Sequence, residues 1–182
     1  MKIGKPKTTT IKKILLATVL VVGPVVALSA TGFSLNTTEC LPLGLYKSVS
    51  KPITIGSLAT TCIPLKDTQE GLRRGYLDAG TACYGISAPL IKIVAAGAGS
   101  VIKETPDGVW INGKKWPMSK PLLHDTSGRL LNPDVGVHIL EKGQYWVMGL
   151  NRKTWDSRYY GPLSKNELLE RQTPVLTIQG NL

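Results

Sequence analysis

Beyond residue 30, apolar and polar positions alternate over short runs that are separated by turn-forming residues. Alternation of this kind is typical of strands in antiparallel sheets. The clearest strand candidates are residues 135–140, 143–149 and 174–179. Asn112-Gly113 is a strong hairpin signal, and only residues 165–171, preceded by Ser164 as a candidate cap, have a helical pattern. The pattern predicts a mainly β fold with little helix.

The N-terminal part of the chain has a different pattern. Residues 1–13 contain five lysines and no acid, and residues 14–30 contain no charged side chain. As a helix, the second segment would be about 25 Å long, slightly less than the roughly 30 Å of a hydrocarbon core. It therefore suits either a signal anchor or a signal peptide. The preceding lysines predict a cytoplasmic N-terminus, which makes residues 31–182 an exported domain.

Composition narrows the function classes. A chain of 182 residues is long enough for one domain with a sizeable core. The net charge is +10, but five of the basic residues belong to residues 1–13, so the exported part is only mildly basic. Its basic groups are short, such as Arg73-Arg74 and Lys114-Lys115, and are not interleaved with aromatic residues. This distribution does not suit a nucleic-acid-binding protein.

The chain contains three cysteines, so one is left over if two form a disulfide in an oxidising compartment. Cys62 and Cys83 flank a polar, glycine-containing stretch, residues 66–80, and a disulfide between them would close this long surface loop. Cys40 is then unpaired. It lies about ten residues after the apolar segment, beside Pro42, which indicates a turn close to the membrane surface.

An unpaired thiol acts as a nucleophile when a second group activates it. We interpret His124 and His138 as surface residues, and their spacing does not indicate a zinc site. Lys92 is the better partner, because strand alternation puts it on the same face as Leu90 and Val94. Burial disfavours the charged form of a lysine, as a lysine general base requires.

A dense polar cluster occupies residues 149–162. Gly149 and Asn151 favour tight turns, while Asp156 and Arg158 can brace one another. So many polar, turn-forming residues are not typical of a packed core. The cluster predicts an active-site loop.

These patterns coincide with the signature segments of one enzyme family. Four segments resemble, in the same order, boxes of the type I signal peptidases, and more closely those of the conjugative-transfer signal peptidases of the TraF type: residues 36–46, 91–95, 107–117 and 149–161. Cys40 occupies the position of the family's nucleophilic serine, and Lys92 that of its lysine. The sequence departs from the family pattern at Ile93, Leu150 and Thr154.

The resemblance implies a fold and a set of roles. It implies coiled antiparallel sheets, one N-terminal hydrophobic helix and the Cys62–Cys83 pair found in the conjugative subgroup. Cys40 would be the nucleophile and Lys92 its base and acid. Thr154 would orient Lys92, and the Thr38 hydroxyl would join the N–H of Cys40 in an oxyanion hole.

The resemblance also implies a function. It implies a membrane-anchored endopeptidase of the bacterial inner membrane, with its catalytic domain in the periplasm. The expected substrate is an extended segment of a pilin precursor or other exported protein for conjugative transfer, with or without cyclisation by transpeptidation. The expected partners are membrane lipid and conjugation or type IV secretion components, and neither a metal nor an organic cofactor is expected. The alternative is an inactive homologue, natural or engineered at Cys40, that binds the precursor as an assembly factor.

Overall fold

The computed structural model describes residues 31–178. The chain divides into two units, Met1–Ser34 and Leu35–Leu182, and the site described below lies within the second. The basic and apolar segments predicted for residues 1–30 lie outside the described residues. Between residues 31 and 178, no helix is both long enough and apolar enough to span a bilayer.

Twelve strands build the described part of the chain, as the alternating pattern predicts. Eleven of them form a seven-stranded sheet in the order β1-β2-β12-β3-β5-β10-β11 and a four-stranded sheet in the order β8-β7-β6-β9, in which the paired strands run antiparallel. The strands are β1 (Phe33–Asn36), β2 (Leu43–Val49), β3 (Leu58–Thr61), β4 (Ala79–Cys83), β5 (Leu90–Ala96), β6 (Val101–Thr105), β7 (Gly108–Ile111), β8 (Lys114–Lys115), β9 (Gly136–Ile139), β10 (Gln144–Met148), β11 (Leu163–Ser164) and β12 (Leu168–Ile178). The mainly β fold class is confirmed.

The predicted hairpin joins β7 to β8. Asn112 and Gly113 have φ angles of 50° and 79°, which are the positive values that a tight hairpin turn needs at both central positions. The Asn112 side chain also accepts a hydrogen bond from the N–H of Val101, at 2.8 Å, which ties the turn to β6.

The polar stretch after Cys62 is helical, which the sequence analysis did not predict. Helix α1 spans Leu65–Arg74, and only Thr68 and Gly71 in it are buried. Its buried stripe therefore consists of small residues and has no apolar periodicity to detect. The Thr68 hydroxyl donates to the carbonyl of Ile63, at 3.0 Å, and ion pairs from Glu70 to the following arginines stabilise the exposed face.

The helix predicted over residues 165–171 is wrong. Ser164 and Glu167 do form a capping box, but the helical segment is a single 3-10 turn, Lys165–Glu167. The chain then enters β12, where Leu168 pairs with Thr61 of β3. Pairing within the sheet thus overrides the helical preference of the segment.

Two buried clusters form the core. One lies around Ala59, Val94, Val147 and Leu163 of the larger sheet. The other contains Ile102, Val109, Leu140, Trp146 and Met148, and so includes residues of β6, β7 and β10. Strands β5 and β10 contribute to both clusters, and the candidate site is built on them and on the segment that follows β10.

Candidate active site

Lys92 is in the middle of β5 and its side chain is only 1% exposed. The strand pairs with β3 on one side and β10 on the other, so Lys92 is held on a central strand. This confirms the predicted burial of Lys92. Lys92 and Cys40 line the same cavity.

Cys40 is the free cysteine of the described residues and is half-buried. Cys62 and Cys83 form the predicted disulfide. Burial raises the pKa of the Cys40 thiol, but the Lys92 charge and hydrogen bonds from Thr38 and Lys92 outweigh this effect. The pKa of Cys40 is therefore below its usual value, which favours the thiolate.

Thr38 and Asn36 shape the loop around Cys40. The Thr38 hydroxyl is 3.3 Å from the Cys40 Sγ and 2.9 Å from the Asn36 Oδ1, and can donate its hydrogen to either. The Asn36 amide nitrogen donates to the carbonyls of Thr38, Leu41 and Pro42, at 2.9 to 3.1 Å. Asn36 thus organises the whole turn, a role that the sequence analysis did not assign although Asn36 begins the signature segment.

The segment after β10 is tied to this turn by two contacts. The N–H of Leu150 donates to the carbonyl of Cys40, at 2.8 Å, and the Asn151 side chain donates to the carbonyl of Glu39. Residues more than a hundred positions apart in the chain are therefore fixed next to one another. The sequence alone predicts only a turn-forming role for Asn151.

Asp156 and Arg158 brace the segment as predicted. Both side chains are fully buried and form an ion pair with an Nε to Oδ1 distance of 2.7 Å. The remaining guanidinium hydrogens reach the carbonyls of Asn151, Arg152 and Thr154. Asp156 also caps the short helix α2 (Ser157–Tyr160) by accepting from the N–H of Arg158.

Thr154 is buried and lines the same cavity as Lys92. Its hydroxyl donates to the Asn151 Oδ1, at 3.4 Å, so the hydrogen bond to Lys92 stays a prediction. Gly149 makes this packing possible, because a Cβ at that position would lie 2.3 Å from the Thr154 Cγ2.

The two histidines do not join the cavity. His124 is exposed, and His138 is half-buried with its ring 5.2 Å from that of Trp146. No group of three His, Cys, Asp or Glu side chains within residues 31–178 is arranged to hold a metal ion.

Glu104, which the sequence analysis did not single out, is a buried acid near this site. Its side chain is 1% exposed, and neither carboxyl oxygen has a hydrogen-bond partner among the described residues. Burial, followed by the charge of Asp156, raises the pKa of Glu104 to about 8 against the opposing effect of Arg158. The signal in the sequence is its alternation with Ile102, which puts Glu104 on the inner face of β6.

The chain belongs to the signal peptidase family, peptidase S26, whose sequence model matches residues 8–176. The conjugal transfer protein TraF of Agrobacterium tumefaciens (strain 15955) is 37% identical over 80% of this chain and 83% of the relative. A plasmid transfer protein TraF of Escherichia coli is 31% identical over 81% and 84%. A crystal structure of a signal peptidase I from Enterococcus faecalis V583 has 17% identity and a TM-score of 0.36, over 71% of this chain and 100% of that one.

Proposed function

We propose that the protein is a membrane-anchored peptidase that cuts a pilin precursor or another exported protein during conjugative transfer. The observation that carries the proposal is the shared cavity of Cys40 and Lys92, in which a buried ammonium lowers the pKa of a thiol. Membership of a peptidase family supports the reaction class. The conjugal transfer names of the two relatives support the biological setting.

In the proposed first step, the Cys40 thiolate attacks the carbonyl carbon of the scissile bond. The negative oxygen that forms is stabilised by the N–H of Cys40 and the Thr38 hydroxyl, a contribution typically of about 3 kcal/mol per donor. The short distance from Thr38 to the Sγ supports this role.

Lys92 then donates a proton to the leaving amine, and a thioester of Cys40 remains. Lys92 lies on a central strand, is almost fully buried and interacts with the Cys40 thiol through its charge and a hydrogen bond. Thr154 orients the ammonium from the same cavity, while Asp156 and Arg158 hold the segment that carries Thr154. These are positioning roles, and Lys92 alone exchanges protons with the reacting atoms.

Two fates are open to the thioester. Attack by water releases a trimmed protein, whereas attack by the amine of the substrate's own N-terminus releases a circular one. Thioesters react with amines more readily, relative to water, than oxygen esters do. A cysteine at position 40 therefore suits the second fate.

The proposed location follows from the N-terminal sequence. Residues 14–30 would anchor the protein in the inner membrane, and residues 31–182 would form the peptidase domain in the periplasm. A disulfide in that domain fits an oxidising compartment. Membrane lipid and components of the conjugation or type IV secretion apparatus are the proposed partners.

The test is co-expression of the full chain with a pilin precursor from the same transfer system, followed by intact-mass measurement of the pilin. We expect a trimmed product that disappears with Cys40→Ala, and a product lighter by one further water if the pilin is circular. An uncut precursor in the presence of folded protein would overturn the proposal. It would favour an assembly factor that binds the precursor without cutting it.

A further inference from the structure

A cavity of about 300 Å³ is lined by both Cys40 and Lys92. Tyr76, Leu131 and Trp155 also line it. The volume exceeds what a small side chain such as that of alanine needs. The lining residues come from five separate parts of the chain, so the cavity is a product of the tertiary fold.

Two polar side chains of the cavity wall, Asp125 and Tyr159, have hydrogen-bond partners within the protein. The carboxylate of Asp125 accepts from the Tyr76 hydroxyl, from the Arg129 Nε at 2.6 Å and from the backbone N–H groups of Ser127 and Arg129. The Tyr159 hydroxyl accepts from the N–H of Leu122, at 2.9 Å. These two groups are therefore occupied, and the lining that remains is mainly apolar.

Three leucines and the aromatic rings provide that apolar surface. The leucines are Leu90, Leu122 and Leu131. The rings of Tyr76 and Trp155 stand edge to face, with centroids 5.1 Å apart. Such a lining favours an apolar or aromatic group over a charged one.

Helix α1 fixes the position of this wall. Gly71 lies so close to Trp155 that a Cβ there would be 2.3 Å from the ring Cζ3. The Cys62–Cys83 disulfide brackets the segment that contains α1 and Tyr76. The cavity is therefore preformed, so a ligand would lose little free energy in ordering it.

Lys92 determines which part of a substrate enters the cavity. In the proposed reaction Lys92 gives its proton to the leaving amine, so that amine must lie on the Lys92 side of Cys40. The residue after the scissile bond is attached to the same nitrogen, so in the proposed reaction its side chain comes next to the cavity that Lys92 lines.

We propose that the cavity is a subsite for an apolar side chain on the residue that follows the scissile bond, and afterwards on the amine that attacks the thioester. This inference rests on the proposed function and names its substrate class. In the second step the amine nitrogen bonds to the thioester carbon and the carbon–sulfur bond breaks. The surplus proton goes to Lys92, which restores the thiolate and the ammonium.

Alkylation of Cys40 tests the cavity without any catalysis. Chloroacetamide and N-benzylchloroacetamide both transfer their methylene carbon to the thiolate and release chloride, and only the second carries an apolar group of suitable size. Because Cys62 and Cys83 are bonded, intact mass reports Cys40 alone. The measurement is the ratio of the two rate constants in the full-length protein in one detergent.

The matched pair of variants is Thr126→Trp and Ser127→Trp. Both residues are exposed neighbours in the chain, but only Thr126 lines the cavity. We expect the ratio of benzyl to parent rate to be about tenfold lower in Thr126→Trp than in Ser127→Trp, because the indole fills the space that the benzyl group would bury. Equal ratios in the two variants would overturn the subsite, whatever the fate of the pilin precursor.

Cleavage of the precursor is measured separately. A protein that shows the tenfold difference but leaves the precursor uncut would overturn the proposed peptidase and, with it, the assignment of the cavity to a substrate residue. Cleavage together with the tenfold difference supports both. The two failures are therefore distinguishable.

Discussion

Asp156 and Arg158, two residues apart in the chain, form a two-pronged ion pair from which solvent is excluded. One prong joins Nε to Oδ1 at 2.7 Å, and the other joins a terminal guanidinium nitrogen to Oδ2 at 2.9 Å. Asp156 Oδ2 also accepts from the N–H of Gly149, at 3.0 Å. The pair therefore fixes both ends of the segment that carries Asn151 and Thr154.

Removing one partner of this pair leaves a charge buried without compensation. We expect Asp156→Asn to lower the free energy of unfolding by roughly 3 kcal/mol, measured by urea denaturation. The control is Asp107→Asn, because Asp107 pairs with Lys120 at 3.6 Å on the surface, where both side chains are more than half exposed. That change should cost less than about 1 kcal/mol. Equal losses in the two variants would contradict the bracing role.

The reactivity of Cys40 tests its coupling to Lys92. Lys92→Met removes the charge that lowers the pKa of the thiol and leaves the opposing effect of burial, so the pH midpoint of alkylation by iodoacetamide should rise. The rate at neutral pH should fall by about tenfold for each unit of that rise. Lys153→Met, which changes an exposed lysine at the same cavity, is the control and should move the midpoint less. An unchanged midpoint in Lys92→Met would show that the two groups do not interact.

The raised pKa of Glu104 should make the free energy of unfolding depend on pH. This pKa is about 8 in the folded protein, against an ordinary value of 4.5. Between these values the unfolded chain binds fewer protons than the folded one, so the free energy of unfolding falls as the pH rises. The slope is at most roughly 1.4 kcal/mol per pH unit, and it vanishes above the folded-state pKa.

We expect Glu104→Gln to remove most of this slope in urea denaturation series between pH 5 and pH 8. The same change at the exposed Glu141 should leave the slope intact. Parallel curves for Glu104→Gln and the unaltered protein would mean that Glu104 is already ionised in the folded state.

Removal of the disulfide should lower the stability of the whole domain and loosen the segment that it closes. The disulfide closes a loop of sequence separation 21, and its loss through Cys62→Ser with Cys83→Ser should cost about 3 kcal/mol. Limited proteolysis should then cut first between residues 63 and 82, because α1 has only two buried residues. Cleavage that begins elsewhere would show that α1 is held by its other contacts, above all by the packing of Gly71 on Trp155.

The sequence predicts best where one local rule decides the structure. Lys92 could be assigned to a buried strand face because alternation alone fixes the face of a strand residue, and Asn112-Gly113 could be assigned to a turn because few other residues accept its φ angles. Helix α1 could not be predicted, since its buried residues are a threonine and a glycine. The cavity wall around Tyr76 depends on that helix and was missed with it.

Structure that depends on contacts between distant segments could not be predicted from the sequence. Residues 165–171 have a helical pattern, and only their pairing with β3 makes most of them a strand. Glu104 is ordinary in sequence, and in the fold it comes under the influence of Asp156 and Arg158, which are about fifty positions away in the chain. The order of signature segments indicates which side chains meet, whereas the hydrogen bonds of Asn36 and Asn151 that hold them depend on the assembled loops.

Strand β12 is the last strand of the described chain, yet it lies between β2 and β3 in the middle of the larger sheet. A polypeptide still being synthesised would therefore hold β2 and β3 without the strand that joins them. Leu150 likewise reaches Cys40 only after most of the chain has been made. Folding dominated by such distant pairings is slow and is completed late. Cys40, the proposed nucleophile, thus gains its surroundings only late in synthesis, and under the proposed function an incomplete chain would leave neighbouring polypeptides uncut.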